Sequence, residues 1–180
     1  MKTKIFEECL NNLEFRNFID IMTKLNKVDF FDELLLKKMK TFKLTDNMTM
    51  YDFFVQGLNS GYCGFTVLLL SLMFDDCSIV FGKNDYIKGT ENSPNGEHAW
   101  LTVNDKIYDT SLGLVFKGNG LGYEESFSIN KSDLNFIYEY AMMDELFKKN
   151  LPVLFKDNLS QEIMEKVLSL YIDKRDYKMK

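Results

Sequence analysis

The stretch His98-Ala99-Trp100-Leu101-Thr102-Val103-Asn104-Asp105-Lys106-Ile107-Tyr108-Asp109-Thr110 decides how this chain is read. Two runs of strand formers flank Asn104-Asp105, a hairpin signal weaker than Asn-Gly. If those two residues form the turn, Val103 faces Lys106, Trp100 faces Asp109 and His98 faces Ser111. Side chains alternate along a strand, so His98, Trp100 and Asp109 then share one face. His98 and Asp109 become diagonal neighbours, about 7–8 Å apart at the backbone and within side-chain reach. Ala99, Leu101 and Val103 point the other way, where Tyr108 can join them on a core. A three-residue turn reverses the parity and puts Asp109 on the opposite face.

Upstream of the hairpin, Gly64 to Phe74 is apolar almost all round, which a helix tolerates only when it is buried. Cys63 stands where a glycine-containing loop enters that helix. A thiolate gains there from oriented N–H groups and the macrodipole, although a buried structural cysteine fits the same position. His98 is the only histidine of the chain, so any imidazole base must be this one. A thiol, an imidazole to take its proton and a carboxylate to orient the imidazole are the parts of nucleophilic acyl transfer.

Farther out, helical spacing predicts a helix over Ile5 to Leu25, a second over Phe30 to Met39 and a third over Thr49 to Gln56. Cys77 to Phe81 reads as a strand, with Asp85-Tyr86-Ile87 continuing it or pairing with it, and Thr90 to Gly96 as a loop. Helices are expected again from Ser132-Asp133 to Lys149 and from Asn158 to Lys174. The order is helices, strands, helices, without internal repeats, and the class is α+β in one domain over 1–180.

Composition narrows the function classes. Hydrophobic residues at 46% and aromatics at 14% describe a packed globule. The 27 acidic residues outnumber the 22 basic ones, and a formal charge of −5 gives no electrostatic reason to expect nucleic acid. Lys37-Lys38-Met39-Lys40 reads as a solvated helix face. The longest apolar run, Phe65 to Phe74, is well short of the roughly 20 residues of a spanning helix, and the N-terminus lacks a secretory signal. No membrane partner is expected, and the location expected is the cytoplasm. Three scattered cysteines fit free thiols in a reducing compartment. Cys9 and Cys77 read as packed core thiols. Zinc held by Cys63, Cys77 and His98 is an alternative without paired-ligand spacing, so neither metal nor cofactor is expected. Gly118-Asn119-Gly120-Leu121-Gly122 lacks the lysine of a phosphate loop.

Gly61-Tyr62-Cys63-Gly64 opening an apolar helix, the strand Ser78-Ile79-Val80-Phe81-Gly82, His98-Ala99-Trp100-Leu101-Thr102-Val103 and Ile107-Tyr108-Asp109-Thr110 together resemble the transglutaminase-like superfamily, within the papain-like group. The resemblance spans about 56–111. It implies a papain-like core, with the nucleophile helix packed on a small antiparallel sheet, at about 56–130 between helical flanks at 1–57 and 131–180. It further implies a catalytic triad of Cys63, His98 and Asp109, and Trp100 as the aromatic beside the imidazole, a residue that ordinary packing explains as well. Gln56 resembles the upstream oxyanion glutamine of papain-like proteases, at a spacing one residue longer, and is otherwise a polar helix-end residue. The implied activity is that of a thiol hydrolase or acyltransferase: protease, amidase, glutamine deamidase or transglutaminase. Its partner would be a protein or peptide with an amide side chain or bond. The alternative from another class is a binding or scaffold protein that keeps the fold without turnover.

Overall fold

The computed structural model describes residues 1–56, 63–86, 88, 95–118 and 122–132. In chain order its elements are α1 (Lys4–Cys9), α2 (Leu13–Lys24), β1 (Val28–Phe30), α3 (Glu33–Thr41), β2 (Lys43–Thr45), β3 (Met48–Thr49), α4 (Met50–Val55), α5 (Cys63–Ser71), β4 (Ser78–Asn84), β5 (Glu97–Val103), β6 (Lys106–Asp109), β7 (Leu114–Lys117) and β8 (Tyr123–Asn130). The class is α+β. A six-stranded sheet runs β1-β7-β6-β5-β4-β8 with antiparallel pairing, and β2-β3 forms a separate ribbon.

The two-residue turn forms as read. Asn104 and Asp105 take φ of 48° and 59°, and Val103 pairs with Lys106, Thr102 with Ile107 and Leu101 with Tyr108. Positive φ at both turn residues matches the right-handed twist of the flanking strands, and Asn and Asp tolerate it better than most residues.

That register sorts the sheet into two apolar faces. Ile129, Ile79, Leu101, Tyr108 and Val115 lie across five successive strands in one row and belong to one core with α3, α4 and α5. Val80, Trp100, Ile107, Leu114, Phe116 and Val28 point the other way, onto Phe6 of α1 and Phe15 and Met22 of α2. In α5 every residue from Phe65 to Ser71 is buried. Val67, Leu69 and Leu70 are each sealed completely, worth about 1.5–3 kcal/mol apiece. The negative end of α5 meets two ammonium groups: Lys38 donates to Met73 O, and Lys131 to Ser71 O and Phe74 O.

Several expectations are corrected. The helix over Ile5 to Leu25 is two, because Asn12 accepts the N–H groups of Glu14 and Phe15 and starts α2 afresh. Phe30 is not helical: it ends β1, which pairs with β7, and Asp32 caps α3. The N-terminal flank is therefore not purely helical and supplies an edge of the sheet. Asp85-Tyr86 is a turn after β4, because Asn84 Oδ1 captures the Tyr86 N–H at 2.7 Å. The sheet is also larger than expected, gaining β7 and β8. Thr49 and Asp52 form a capping box at the start of α4, at the predicted boundary. The helices expected over 132–149 and 158–174, apart from Ser132, lie outside the described residues. Among the described residues, no helix is long and apolar enough to cross a membrane.

Candidate active site

Cys63 is the first residue of α5, where helix N–H groups have no partner within the helix. His98 lies near the start of β5, and Asp109 is the last residue of β6. The strands supply the spacing: ladder pairing of β5 with β6 reaches Leu101↔Tyr108, and beyond it the two side chains make the bridge. His98 Nε2 lies 2.7 Å from Asp109 Oδ2, both side chains being essentially sealed from solvent. The imidazole also hydrogen-bonds the Cys63 thiol. Because Nε2 is engaged by the carboxylate, Nδ1 is the nitrogen left for sulfur.

Asp109 accepts two further bonds. The Leu112 N–H reaches Oδ1 at 3.0 Å, and the Tyr123 hydroxyl donates to Oδ2 at 2.7 Å. The backbone turns sharply here: Gly113 N–H returns to Asp109 O at 2.8 Å, with Gly113 at φ 68°. A second tie joins the two sides of the site. Thr66 donates to Cys63 O at 3.0 Å and lies 2.8 Å from the Thr110 hydroxyl. Since Thr66 has one proton, already given to the carbonyl, Thr110 is the donor in that pair. The buried hydroxyls thereby link the turn at Cys63 to the residue after Asp109.

The electrostatics favour charge separation. Burial raises the Cys63 pKa, but the hydrogen bond and charge of His98, with the N–H groups of Ala99 and Gly64, bring it below its ordinary value. Burial lowers the His98 pKa, and Asp109 and Cys63 outweigh it, raising the imidazole to about 10. Asp109 is raised by burial and lowered further by His98, Leu112 and Tyr123, ending below the usual carboxylate range. Each group supplies what the next one loses by leaving water. Cys9 and Cys77 differ: burial drives both thiols up to about 11.

Cys63, His98 and Asp109 are thus brought together. Trp100 packs beside them, its ring 6.2 Å from the imidazole and 5.0 Å from Tyr123. The indole lies over Gly82, where an added Cβ would come within 2.8 Å of its Cη2. Gln56 is the exposed C-cap residue of α4. Cys77 stands one residue before the Ser78↔Thr102 pair, at the far end of β4 from Gly82↔His98. Among the described residues, no three His, Cys, Asp or Glu side chains are grouped to hold a metal ion. The sequence gives little sign of Tyr123. Its strand, Tyr-Glu-Glu-Ser-Phe-Ser-Ile-Asn, is too polar to signal a core strand, and the one hint is an aromatic directly after Gly122.

No family model, no curated protein and no solved structure matches the chain.

Proposed function

We propose that this protein is a cysteine-dependent acyl-transfer enzyme with a papain-like core of the transglutaminase-like kind, acting through Cys63, His98 and Asp109. The observation that carries the reading is the chain's sole imidazole, bonded on one side to a thiol at a helix N-terminus and on the other to a buried carboxylate. That environment lowers a thiol's pKa at Cys63 while the other two cysteines are pushed up. A pKa lowered at one cysteine while burial raises the other two is the pattern of a nucleophile.

The Cys63 thiolate attacks an amide or ester carbonyl, and the carbonyl π electrons move to oxygen. The backbone N–H of Cys63 faces that oxyanion, aided by the positive end of α5. Gln56, exposed at the end of α4, is the weaker choice for a second donor. Collapse of the tetrahedral adduct expels the amine or alcohol, which takes the proton held on His98 Nδ1, and leaves a thioester on Sγ. Water or an amine then attacks the thioester. His98 removes its proton and Cys63 departs as thiolate, restoring the ion pair. Asp109 stays ionised and holds the ring in orientation. Water as acceptor gives proteolysis, amide hydrolysis or glutamine deamidation, and an amine gives transamidation. The substrate class is a protein or peptide carrying an amide.

Iodoacetamide labelling followed by mass spectrometry tests the assignment. At pH 6, Cys63 is expected to react at least about tenfold faster than Cys9 or Cys77, and His98→Ala to abolish the difference. Equal, sluggish labelling of the three thiols would instead support the inert scaffold.

A further inference from the structure

Asp109 holds His98 with the same oxygen that Tyr123 occupies. A carboxylate can rotate about its last bond, and either oxygen could then face the imidazole. Here both ends are tied, Oδ1 by the Leu112 N–H and Oδ2 by the phenol. The phenol is itself fixed. Its ring meets Trp100 edge-on at 5.0 Å and Phe116 at 5.4 Å. It leaves Gly122 at φ 76°, where a Cβ would strike the Tyr86 ring at 2.6 Å. Across the sheet from Tyr123 is Asn84, fully buried, with Oδ1 committed to the Tyr86 N–H. Asn84 Nδ2 lies close enough to favour the phenolate. It falls short of hydrogen-bond geometry with any described group.

We propose that Tyr123 is a positioning residue of the Cys63–His98–Asp109 centre, its O–H fixing the carboxylate and setting how tightly that carboxylate holds the imidazolium. The inference rests on reading that centre as an acyl-transfer site. Burial and the neighbouring carboxylate raise the Tyr123 pKa well above its ordinary value, so the hydroxyl is a donor at every working pH. A donor on Oδ2 spreads the negative charge and weakens the carboxylate's pull on the imidazole proton. Removing it leaves a more basic Asp109 and a His98 that binds its proton more strongly. The titratable groups around the pair are Cys63 from α5, Tyr123 from β8, Tyr86 after β4 and Cys9 from α1, which feels the Asp109 charge.

Because His98 is the only histidine, its imidazole carbon-bound protons give an unambiguous NMR titration. Tyr123→Phe keeps the ring contacts and deletes the donor, and is expected to raise the His98 midpoint by about 0.5–1 pH unit. 3-Fluorotyrosine at position 123 alone is a stronger acid and a stronger donor, and is expected to lower it. Opposite displacements establish the role. Midpoints that stay put, or that move in the same direction, overturn it. If the phenylalanine variant does not fold, the fluorotyrosine arm decides alone, since it replaces one ring hydrogen. Iodoacetamide labelling of the unsubstituted protein separates the two ideas. Loss of Cys63 selectivity there refutes the enzyme reading, whereas selectivity with an unmoved His98 midpoint refutes the tyrosine's role alone.

Discussion

Burial opposes charge at Cys63 and at His98, and each group offsets that cost by supplying the other's counter-charge, with Asp109 behind them. The consequence for stability depends on the direction of each change. The folded-state pKa of His98 is raised from 6.5 to about 10, so its contribution is complete below pH 6.5 and is lost as pH rises toward 10. Cys63 is lowered from 9.0, so its contribution grows as pH passes its folded pKa and is complete above 9.0. Over the alkaline range the two therefore run in opposite directions. Cys63→Ala removes the compensation and leaves the imidazolium still held by Asp109. The urea midpoint of this variant is expected to fall more steeply between pH 6.5 and 10 than that of the unaltered protein. Parallel curves would show that the thiol and imidazole are not coupled. Asp109, lowered from 3.8, contributes above that pH, and its share is lost as pH falls through its folded value, in both proteins alike.

Elements were legible where periodicity and turn chemistry agreed, and hidden where an element is too short or too polar to show a period. The β5–β6 hairpin could be read residue by residue because one parity decided it: two turn residues put His98 and Asp109 on a common face. The break between α1 and α2 is hidden because Ile5, Cys9 and Leu13 keep helical spacing through it, and only the Asn12 side chain marks the restart. β1 has three residues, too few to establish alternation. β8 is an edge strand with consecutive glutamates, a composition that protects an exposed edge from further pairing and reads as a loop. With β8 unread, Tyr123 was unreadable too. The same strand makes Gly82 indispensable. A Cβ there would come within 2.0 Å of Glu124 O and 2.8 Å of Trp100 Cη2, beside the register shift between Phe81 and Gly82. The first obstacle is backbone, so rotamer changes cannot relieve it. Gly82→Ala is expected to destabilise by about 1–3 kcal/mol in urea unfolding and to slow Cys63 alkylation by disturbing the aromatic packing beside His98. Unchanged stability and unchanged alkylation together would mean that β8 does not bear on the site.

At the scale of the whole molecule, the sheet is a partition with a core on either side, and the candidate site is where the sides meet. Cys63 begins the helix that packs on the face of Ile79, Leu101, Tyr108 and Val115. His98 and Asp109 neighbour the face of Val80, Trp100, Ile107 and Phe116. Thiol and imidazole meet at the start of β5, beyond the reach of its ladder with β6. Their juxtaposition therefore depends on both of the cores that the sheet separates. Ile79 and Phe116, both fully buried, sit on opposite faces and three strands apart, about 14 Å at the usual strand spacing. Ile79→Val should cost about 0.5–1.5 kcal/mol and Phe116→Leu about 1–2 kcal/mol. Without shared contacts, their effects on unfolding free energy should add within about 0.5 kcal/mol in the double variant. Cys63 alkylation should behave otherwise, because each substitution moves one partner of a single contact and the second loses little once the first has opened it. Additive stability with less than additive loss of thiol reactivity is the expected pair of results. A stability coupling well above 0.5 kcal/mol would show one continuous core, and the site would then be an ordinary interior contact instead of a junction between two cores.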